Sequence, residues 1–531
     1  MPGGNILIDA YRAVESKVSR EGDVRRPLLE QFFEHAGEVL EGGRSFLAVV
    51  NAPTGYGKTT LSLASALAAA TRARYFSKVV HVLPLRSIVE DVAGKAARVL
   101  GGEAVGVKMM GVSWEVFHAF PLNVTTVDTF TFDLLRLNTK KLQRVRMGEE
   151  FGYDFLTQAS LLNSLVVLDE AHYALEEEYM RDAFYMVLDF LLRVGVPVVV
   201  MTATLSKGYE ELLRKLARES EVEFLKCEPL TGDPFVESES GKSIRLGFAP
   251  TAEALEKALG YRRVLVVANN PARATCIYER LRGSRRNVLL LHGRMKPFHK
   301  REVLEGVREL EELGEPLVLV ATQVVEAGVD ASFDVLVTDP APAYSLIQRM
   351  GRVARRPGDR EGAVLVAEDG PYSPYEEVKV SKTLRWLRER GGGFKPRVPS
   401  TYAELLAEVH GKRATEVLPS AFRLSQVMAK LYDPMSRSLE VLEAIEKLMK
   451  REPFLREFSL PVDVDGEVIL LRPIEAYRMY QRGLLEVEGA TGSVDPGYFY
   501  SLAKRMALGG SVEIRFTGTY DPGRGLAECT E

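Results

Sequence analysis

Short apolar runs alternate along this chain with longer stretches in which apolar residues recur at helical spacing. Strands separated by helices in this way indicate parallel sheets covered on both faces. A turn-rich segment, Glu228–Pro234, divides the runs into two series, so the pattern predicts two α/β domains in tandem. The predicted strands lie at 46–50, 79–83, 124–127, 165–168 and 196–201 in the first series, and at 243–247, 264–268, 288–291, 317–321, 335–338 and 363–367 in the second.

The pattern changes beyond residue 390. Gly391–Pro399 is rich in glycine and proline and is predicted to be a linker. Helical periodicity dominates after it, with shorter strand-like pieces at Val468–Leu471 and Ser511–Phe516. Asn138–Asn163 is too long for an ordinary connection, and we expect a functional or disordered loop there. The predicted domains are therefore 1–228, 229–390 and 401–531, with a linker at 391–400.

Composition describes an ordinary globular protein of 531 residues, 46% hydrophobic and 27% charged. No apolar run reaches the roughly 18 residues that indicate a transmembrane helix, and the first residues lack the features of a secretory signal. Cys227, Cys276 and Cys529 have no metal-ligand spacing, and an odd count argues against a disulfide framework. We therefore expect reduced thiols, a cytoplasmic location and no membrane partner.

The net charge of −4 does not by itself indicate a nucleic-acid-binding protein. Such binding needs local positive charge rather than a basic total. Three groups of basic residues could supply it, although a run of charges is usually a solvated face. They are Lys140, Lys141, Arg144 and Arg146; Arg282, Arg285 and Arg286; and Lys382, Arg385, Arg388, Arg390, Lys395 and Arg397.

The strongest chemical signal is the segment Ala52–Thr59, A-P-T-G-Y-G-K-T. It lies between a predicted strand and an alanine-rich helical stretch, which is the context of a phosphate-binding loop. Backbone N–H groups at such a helix N-terminus attract anionic oxygens. Lys58 is expected to reach the β- and γ-phosphates, and the Thr59 hydroxyl to bind Mg²⁺. The predicted nucleotide contacts are Ala52, Pro53, Thr54, Gly55, Tyr56, Gly57, Lys58, Thr59 and Thr60.

A second motif, Asp169–His172, directly follows the apolar run 165–168. Its position predicts that Asp169 holds Mg²⁺ and that Glu170 polarises an attacking water molecule. The two motifs in this order indicate an enzyme that hydrolyses a nucleoside triphosphate.

Two further motifs lie in the second series of strands, Ala321–Asp330 and Gln348–Arg355. Gly328 permits a close approach of the backbone to a ligand. Arg352 and Arg355 are three residues apart, so on a helix they share one face and could clamp one phosphate. Arginine side chains neutralise charge in the transition state of phosphoryl transfer. The predicted catalytic residues are Lys58, Asp169, Glu170, Gln348, Arg352 and Arg355, and Gly328 and Asp330 are added to the nucleotide contacts.

These motifs resemble those of superfamily 2 helicases in type and order, and the resemblance covers roughly residues 20–390. It implies two tandem RecA-like α/β domains, followed here by a mainly helical C-terminal accessory domain. Gln31 is then an adenine-reading residue, and Thr202 and Thr204 couple the nucleotide site to the nucleic-acid site. The nucleic-acid contacts that the resemblance implies are Arg86, Thr126, Asp128, Asn269, Thr322 and Gln323.

Within the superfamily, the combination of L-D-E-A-H, T-A-T-L and T-Q-V-V-E-A-G-V-D most resembles the helicase subunit of type I CRISPR interference systems. The resemblance implies an enzyme that uses ATP and Mg²⁺, moves on single-stranded DNA, unwinds duplex DNA and is recruited by an RNA-guided surveillance complex. Many members begin with an HD nuclease. None of the seven histidines here is followed by aspartate, so we expect that nuclease on a separate subunit. Two alternatives stay open: an RNA helicase of the same superfamily, and an ATP-gated nucleic-acid clamp that does not unwind.

Overall fold

The computed structural model forms two compact units, each built from two separate parts of the chain. Unit 1 contains Met1–Glu237 and His410–Glu457, and unit 2 contains Ser238–Val409 and Phe458–Glu531. The structure describes residues 5–529 apart from 20–23, 72–74, 85, 110–111, 114–116, 139–140, 151, 177, 204, 284, 327, 412–420, 434–435, 450–458, 491–493, 508–509 and 511.

Helices and strands are numbered here in chain order. The strands are β1 Phe46–Asn51, β2 Val79–Leu83, β3 Val105–Met109, β4 Val112–Ser113, β5 Leu122–Thr126, β6 Leu165–Leu168, β7 Val198–Thr202, β8 Glu223–Cys227, β9 Ser243–Ala249, β10 Arg263–Val267, β11 Val288–Leu291, β12 Leu317–Ala321, β13 Val335–Thr338, β14 Glu361–Ala367, β15 Leu460–Val464, β16 Glu467–Leu471, β17 Leu485–Val487 and β18 Ile514–Phe516. The helices are α1 Ile6–Val18, α2 Pro27–Glu41, α3 Lys58–Thr71, α4 Arg86–Leu100, α5 Val127–Leu134, α6 Leu142–Arg146, α7 Gly152–Leu162, α8 His172–Glu176, α9 Glu178–Arg193, α10 Lys207–Glu219, α11 Pro234–Ser240, α12 Thr251–Ala258, α13 Pro271–Arg282, α14 Pro297–Glu312, α15 Ala343–Met350, α16 Glu377–Arg390, α17 Ala403–His410, α18 Ala421–Tyr432, α19 Ser438–Met449, α20 Pro473–Gln481 and α21 Pro496–Ala507.

The sheet of unit 1 has the strand order β4-β3-β5-β2-β6-β7-β1-β8. All neighbours are parallel except β3 and β4. Strands β1, β2 and β6 consist of apolar runs whose residues are almost all buried, as expected for a parallel sheet covered on both faces. Because β6, β7 and β1 are neighbours, their carboxyl ends bring three separate chain segments to one edge of the sheet.

Unit 2 contains a second parallel sheet, with the order β11-β12-β10-β13-β14-β9. Apolar clusters lie on its two faces, one of them around Phe333, Ile347 and Trp386. The predicted α/β fold with two tandem parallel sheets is therefore confirmed. Strands β12, β10 and β13 are neighbours, so the residues that follow them also meet at one edge.

A smaller mixed sheet, β16-β15-β18-β17, belongs to the C-terminal part of unit 2 and packs with α20 and α21 around a core of its own. The predicted strand-like piece 468–471 lies within β16, whereas β18 covers only residues 514–516 of the second predicted piece. Helices α18 and α19 belong instead to unit 1. The accessory region is thus divided between the two units, and the domain boundaries given by the sequence stay a prediction.

The prediction that all three cysteines are reduced thiols is wrong for two of them. Cys276 and Cys529 form a disulfide within unit 2, with their Cα atoms 4.6 Å apart although 253 residues separate them in sequence. The fold creates this proximity by seating the C-terminal segment beside α13. Cys227 is a free, buried cysteine, and burial raises the pKa of its thiol to about 12.

The segment Asn138–Asn163 is not a loop, since it contains α6 and α7. It is fastened to α19 within unit 1: Arg146 donates two hydrogen bonds to Glu446 at 3.0 and 2.6 Å, and the Ser438 backbone N–H donates to Glu150 at 2.9 Å. The two helices and these polar contacts therefore stand in place of the functional or disordered loop that the length of the segment predicted. Among the described residues, every helix is too short or too polar to span a bilayer.

Candidate nucleotide site and arginine turn

The phosphate-binding loop of unit 1 connects the end of β1 to the start of α3. Gly55 and Gly57 have φ angles of 86° and 93°, which side chains with a Cβ rarely tolerate. These two positions let the chain turn sharply enough for Lys58 to begin the helix. The loop is fixed to the neighbouring strand, because the Ala52 N–H donates to the Thr202 carbonyl at 2.9 Å.

Lys58 and the Asp169–His172 motif meet at the carboxyl ends of β1 and β6. The Lys58 ammonium lies 3.1 Å from a Glu170 carboxylate oxygen, and both side chains are largely buried. Glu170 has a φ of 49°, so its backbone adopts a conformation that is uncommon for a residue other than glycine. The structure brings together the lysine and the two carboxylates that the sequence predicted to act on one nucleotide.

His81, in β2, contacts Asp169 and was not recognised from the sequence as part of the site. Its Nε2 is 3.4 Å from Asp169 Oδ2, and its Nδ1 is 2.7 Å from the Ser62 hydroxyl. Burial raises the pKa of Asp169, but the contacts with His81 and Lys58 outweigh it and hold that pKa below its ordinary value. Asp169 is therefore an oriented carboxylate that keeps its negative charge.

Thr202 connects the loop to the second motif. Its carbonyl accepts the hydrogen bond from Ala52, and its hydroxyl is 3.2 Å from His172 Nδ1. Burial lowers the pKa of His172 to about 4, so this imidazole is neutral near pH 7. Thr202 thus joins the two motifs directly. Thr204, the other predicted coupling residue, lies outside the described residues.

The Tyr56 side chain, predicted as a nucleotide contact, is directed into the interior of unit 1. Its hydroxyl donates to Asp233 at 2.6 Å and accepts from the Leu28 N–H at 3.2 Å, and its ring packs against Phe235. The residue is completely buried. Only the backbone of Tyr56 faces the loop, and its side chain anchors that loop to the start of α2.

The donors in the loop suit a triphosphate and a magnesium ion. The Thr54 hydroxyl is buried and has no hydrogen-bond partner among the described residues, and Thr59 and Thr60 follow Lys58 in the first turn of α3. An unsatisfied hydroxyl beside a helix N-terminus favours an anionic ligand. A threonine hydroxyl and an aspartate carboxylate are oxygen donors of the kind Mg²⁺ takes when phosphates and water complete its shell.

Gln31, the predicted adenine-reading residue, lies in the first turns of α2 and is partly exposed. Helix α2 also carries Leu28, whose N–H contacts Tyr56, so the helix is tied to the phosphate-binding loop. Arg26 precedes this helix and lies against Gly57, with 3.4 Å between its Cδ and the position a Cβ would take. Arg26 is thus a direct neighbour of the phosphate-binding loop.

The predicted nucleic-acid contacts of unit 1 differ in accessibility. Thr126 caps α5, and its side chain accepts a hydrogen bond from the Thr129 N–H at 3.3 Å. Arg86 begins α4 and is partly buried; burial lowers its pKa, opposed by the charges of Glu90 and Asp128. Arg86 and Asp128 are thus near neighbours within unit 1. Arg86 carries the positive charge that a phosphate contact needs, whereas the Thr126 hydroxyl caps α5.

In unit 2 the prediction that Arg352 and Arg355 share one face of a helix is wrong. Helix α15 ends at Met350, because Gly351 follows it, and both arginines lie in the next segment, Gly351–Arg356, which we call the arginine turn. Arg352 donates to the carbonyls of Val325, Val329 and Glu326 at 2.9, 2.8 and 2.5 Å. Arg355 lies 3.3 Å from Asp330. Both arginines thus contact the Ala321–Asp330 motif.

A buried ion pair lies behind this motif and was missed from the sequence. Arg349 Nε donates to Glu326 at 2.8 Å, and the same guanidinium donates to Asn269 at 3.1 Å and Tyr375 at 2.8 Å. Gln323 donates to the Asn269 carbonyl at 2.7 Å. Asn269 and Gln323, predicted to contact nucleic acid, therefore use their side chains in this internal network.

The remaining predicted residues of unit 2 lie close to the arginine turn or to β12. Gly328 has a φ of 92°, which explains the requirement for glycine there. Thr322 directly follows β12 and is 3% exposed, and Gln348 on α15 is 2% exposed. Asp330 contacts Arg355 and Arg356, each at 3.3 Å. Thr322 and Gln348 are thus too enclosed to reach a ligand without some local movement.

Comparisons with known proteins agree with this arrangement. A family model described as DEAD/DEAH box helicase matches residues 34–212, and one described as CRISPR-associated nuclease/helicase Cas3, C-terminal, matches residues 260–358. CRISPR-associated helicase Cas3 from Thermoproteus tenax is 27% identical over 412 residues, which cover 74% of this chain and 68% of that protein. The chain is thus similar to the Cas3-like helicases of superfamily 2 in both motif-bearing regions. The family resemblance and the enzyme class, a nucleic-acid-dependent ATPase and helicase, are confirmed.

Solved structures support the Cas3-like fold. T. fusca Cas3-ATP has a TM-score of 0.59 at 18% identity, covering 96% of this chain and 65% of that one. A chain of a CRISPR RNA-guided surveillance complex, pre-nicking, has a TM-score of 0.55 at 20% identity, covering 79% and 54%. This Cas3-like chain spans half or less of the length of several other curated relatives.

Proposed function

We propose that this chain is the ATP-dependent DNA helicase of a type I CRISPR defence system. In this proposal it moves on single-stranded DNA and unwinds target DNA, and a separate HD nuclease subunit cuts it. The observation that carries the proposal is the convergence of Lys58, Asp169 and Glu170 at the carboxyl ends of β1 and β6. ATP hydrolysis needs a cation that binds the phosphates, one carboxylate that holds the metal ion and a second carboxylate that orients the water molecule.

Each of these residues has one role in the proposed hydrolysis. Lys58 leaves Glu170 to bind the β- and γ-phosphates, since their oxygens carry more negative charge than one carboxylate. Asp169, held as an anion by His81 and Lys58, would hold Mg²⁺ together with Thr59. Glu170, once released by Lys58, orients the attacking water molecule. Arg352 or Arg355 neutralises charge on the transferred phosphoryl group.

Magnesium, if held by Asp169 and Thr59, would supply charge neutralisation for the phosphate oxygens. The residues of this chain contribute the oxygen donors and their orientation. His81 fixes the Asp169 carboxylate, and the Ser62 hydroxyl is placed to donate to His81 Nδ1 while His81 Nε2 faces Asp169. Such an outer partner orients a metal ligand.

We also propose that the nucleic acid is held through its phosphates, by residues such as Arg86 and, after a local movement that exposes its hydroxyl, Thr322. Phosphate contacts carry little sequence information. Target choice then belongs to an RNA-guided surveillance complex, in which base pairing reads the sequence. The cytoplasm is the location that fits such a role.

The test is ATP turnover by the purified chain with single-stranded DNA, with RNA and without nucleic acid. We expect single-stranded DNA to stimulate turnover at least tenfold, and Lys58→Ala to abolish it. Lys95→Ala is the matched control, because Lys95 lies in the same unit and pairs with Asp91 one turn earlier on α4, away from the phosphate-binding loop in sequence. Stimulation by RNA alone would favour an RNA helicase instead.

A second measurement separates unwinding from clamping. A forked DNA duplex with one labelled strand reports strand separation, and adding an HD nuclease polypeptide reports cleavage. The proposal predicts separation without cleavage by the chain alone, and cleavage after the nuclease is added. DNA-stimulated turnover with no strand separation would favour the ATP-gated clamp.

A further inference from the structure

The arginine turn, Gly351–Arg356, belongs to neither a helix nor a long strand, so other contacts must set its conformation. Its only ladder contact among the described residues is a single bridge between Phe333 and Val353. Ala354 has a φ of 47°, in the left-handed region that residues with a Cβ avoid. Such a conformation persists when the surroundings determine it. Residues elsewhere in unit 2 must therefore hold the turn.

Arg397 makes the principal contacts. Its guanidinium donates to the carbonyls of Gly351 and Val353 at 2.9 Å each and to that of Ala354 at 2.5 Å. Its Nε donates to Glu239 at 2.6 Å. The residue is 2% exposed. A planar fork of five N–H donors is suited to hold several carbonyls in a fixed arrangement, which a lysine cannot reproduce.

Lys242 and Glu239 complete the contacts. The Lys242 ammonium donates to the carbonyls of Ala354 and Arg356 at 2.8 and 3.0 Å, and it lies 2.7 Å from Glu239. Glu239 therefore pairs with both cations, and it is 7% exposed. The carbonyls on both sides of Arg352 and the one before Arg355 are all held by Arg397 or Lys242.

We propose that Arg397, together with Lys242 and Glu239, is a positioning residue for ATP hydrolysis, which fixes the arginine turn so that Arg352 and Arg355 are presented in a single conformation. The inference rests on the proposed ATPase function. Arg397 touches no substrate in it and acts only through the backbone carbonyls of the turn.

Because Arg397 is buried, its side chain is not part of a surface that could bind DNA. The sequence placed it in a basic group with Arg388, but the charge of Arg397 is buried and shared with Glu239. The Arg388 side chain is 50% exposed and pairs with Glu368 at 2.8 Å. Arg388 is therefore the matched control: it belongs to the same group, carries the same charge and makes no contact with the turn among those described.

The test compares Arg397→Lys with Arg388→Lys in the full chain. Arg397→Lys keeps a positive charge beside Glu239 but loses the planar guanidinium that donates to three carbonyls at once. We expect kcat for ATP to fall at least tenfold, with the nucleotide Kd and the thermal unfolding temperature close to wild type, and no change in Arg388→Lys. Hydrogen exchange should accelerate at the backbone amides of 352–354 and not in α3.

Two results would overturn the proposal. One is wild-type kcat and unchanged exchange in Arg397→Lys. The other is a parallel loss of nucleotide binding, stability and turnover, which would mean a purely structural role. Arg397→Met, which has no N–H donor for these carbonyls, is a second variant from which the same loss of kcat and the same faster exchange are expected. If the wild-type chain itself fails to hydrolyse ATP, the proposed function fails, whereas the exchange measurement still decides whether Arg397 fixes the turn.

Discussion

Removing the positive charge of Arg349 should strongly destabilise unit 2. The Arg349 and Glu326 side chains are 0% and 1% exposed, and their Nε and Oε1 atoms lie 2.8 Å apart. Replacing Arg349 with methionine keeps most of the volume but leaves a buried carboxylate without its cation. Breaking a buried ion pair in this way costs about 3–5 kcal/mol. Asn269 and Thr338 also lose a donor, so we expect a value near the upper end.

The measurement is urea unfolding followed by the fluorescence of Trp386, which lies in a core cluster of unit 2. The chain has two tryptophans, so the background carries Trp114→Phe to make the signal specific. Arg388→Met is the control, because an exposed ion pair contributes only about 0–1 kcal/mol.

A double variant tests the electrostatic reasoning itself. Glu326→Leu combined with Arg349→Met leaves no charge in the site, and replacing both partners of a buried pair is often close to neutral. We expect the double variant to regain most of the stability that Arg349→Met loses. The reasoning is refuted if Arg349→Met loses less than about 1 kcal/mol, or if the double variant is as unstable as the single one.

Three further predictions concern other parts of the chain. Lys58→Ala and Glu170→Gln should each abolish ATP turnover while circular dichroism stays unchanged; wild-type turnover in either contradicts the site assignment. Burial lowers the pKa of His292 to about 3, so its contribution to stability is complete above pH ~6.5 and is lost as the pH falls toward 3. His292→Gln should therefore flatten the pH dependence of the unfolding free energy in that window, and an unchanged slope argues against it. Replacing Cys276 and Cys529 with serine should lower stability by about 2–4 kcal/mol in thermal unfolding, with no further loss on adding reductant; equal stability would mean that the disulfide contributes nothing.

The central strands of both sheets could be predicted from the sequence because each is buried on both faces. Strand β12 has the predicted bounds, Leu317–Ala321, and β1 extends the predicted run by one residue. Strand β3, Val105–Met109, was missed, because a glycine and a lysine interrupt its apolar pattern. It lies toward the end of the sheet, where a lysine can pair with Asp133 at 2.8 Å. Long-range pairing of this kind is not visible in local periodicity.

The phosphate-binding loop was predictable because its chemistry is local, with glycines and lysine at fixed spacing. The arginine turn was not. Its spacing suggested a helix, but Gly351 ends α15, and residues far along the chain, above all Arg397, determine the conformation of the turn. The basic group containing Arg397 looked like a solvated or DNA-binding surface for the same reason, since composition does not reveal which arginine is enclosed by carbonyl groups.

The division of the C-terminal region between the two units has a consequence for biosynthesis. The chain passes from one unit to the other at 237/238, 409/410 and 457/458, so neither unit is a continuous stretch of polypeptide. A ribosome that has made the first 237 residues has not yet made α18 and α19, which complete unit 1. Unit 2 cannot form its disulfide until Cys529 has been made. Domains of larger proteins usually fold one after another during synthesis. Here unit 1 lacks α18 and α19 until residue 449 has been made, and unit 2 lacks its small mixed sheet until residue 516, so a stop codon placed after α16 would leave both units unfinished.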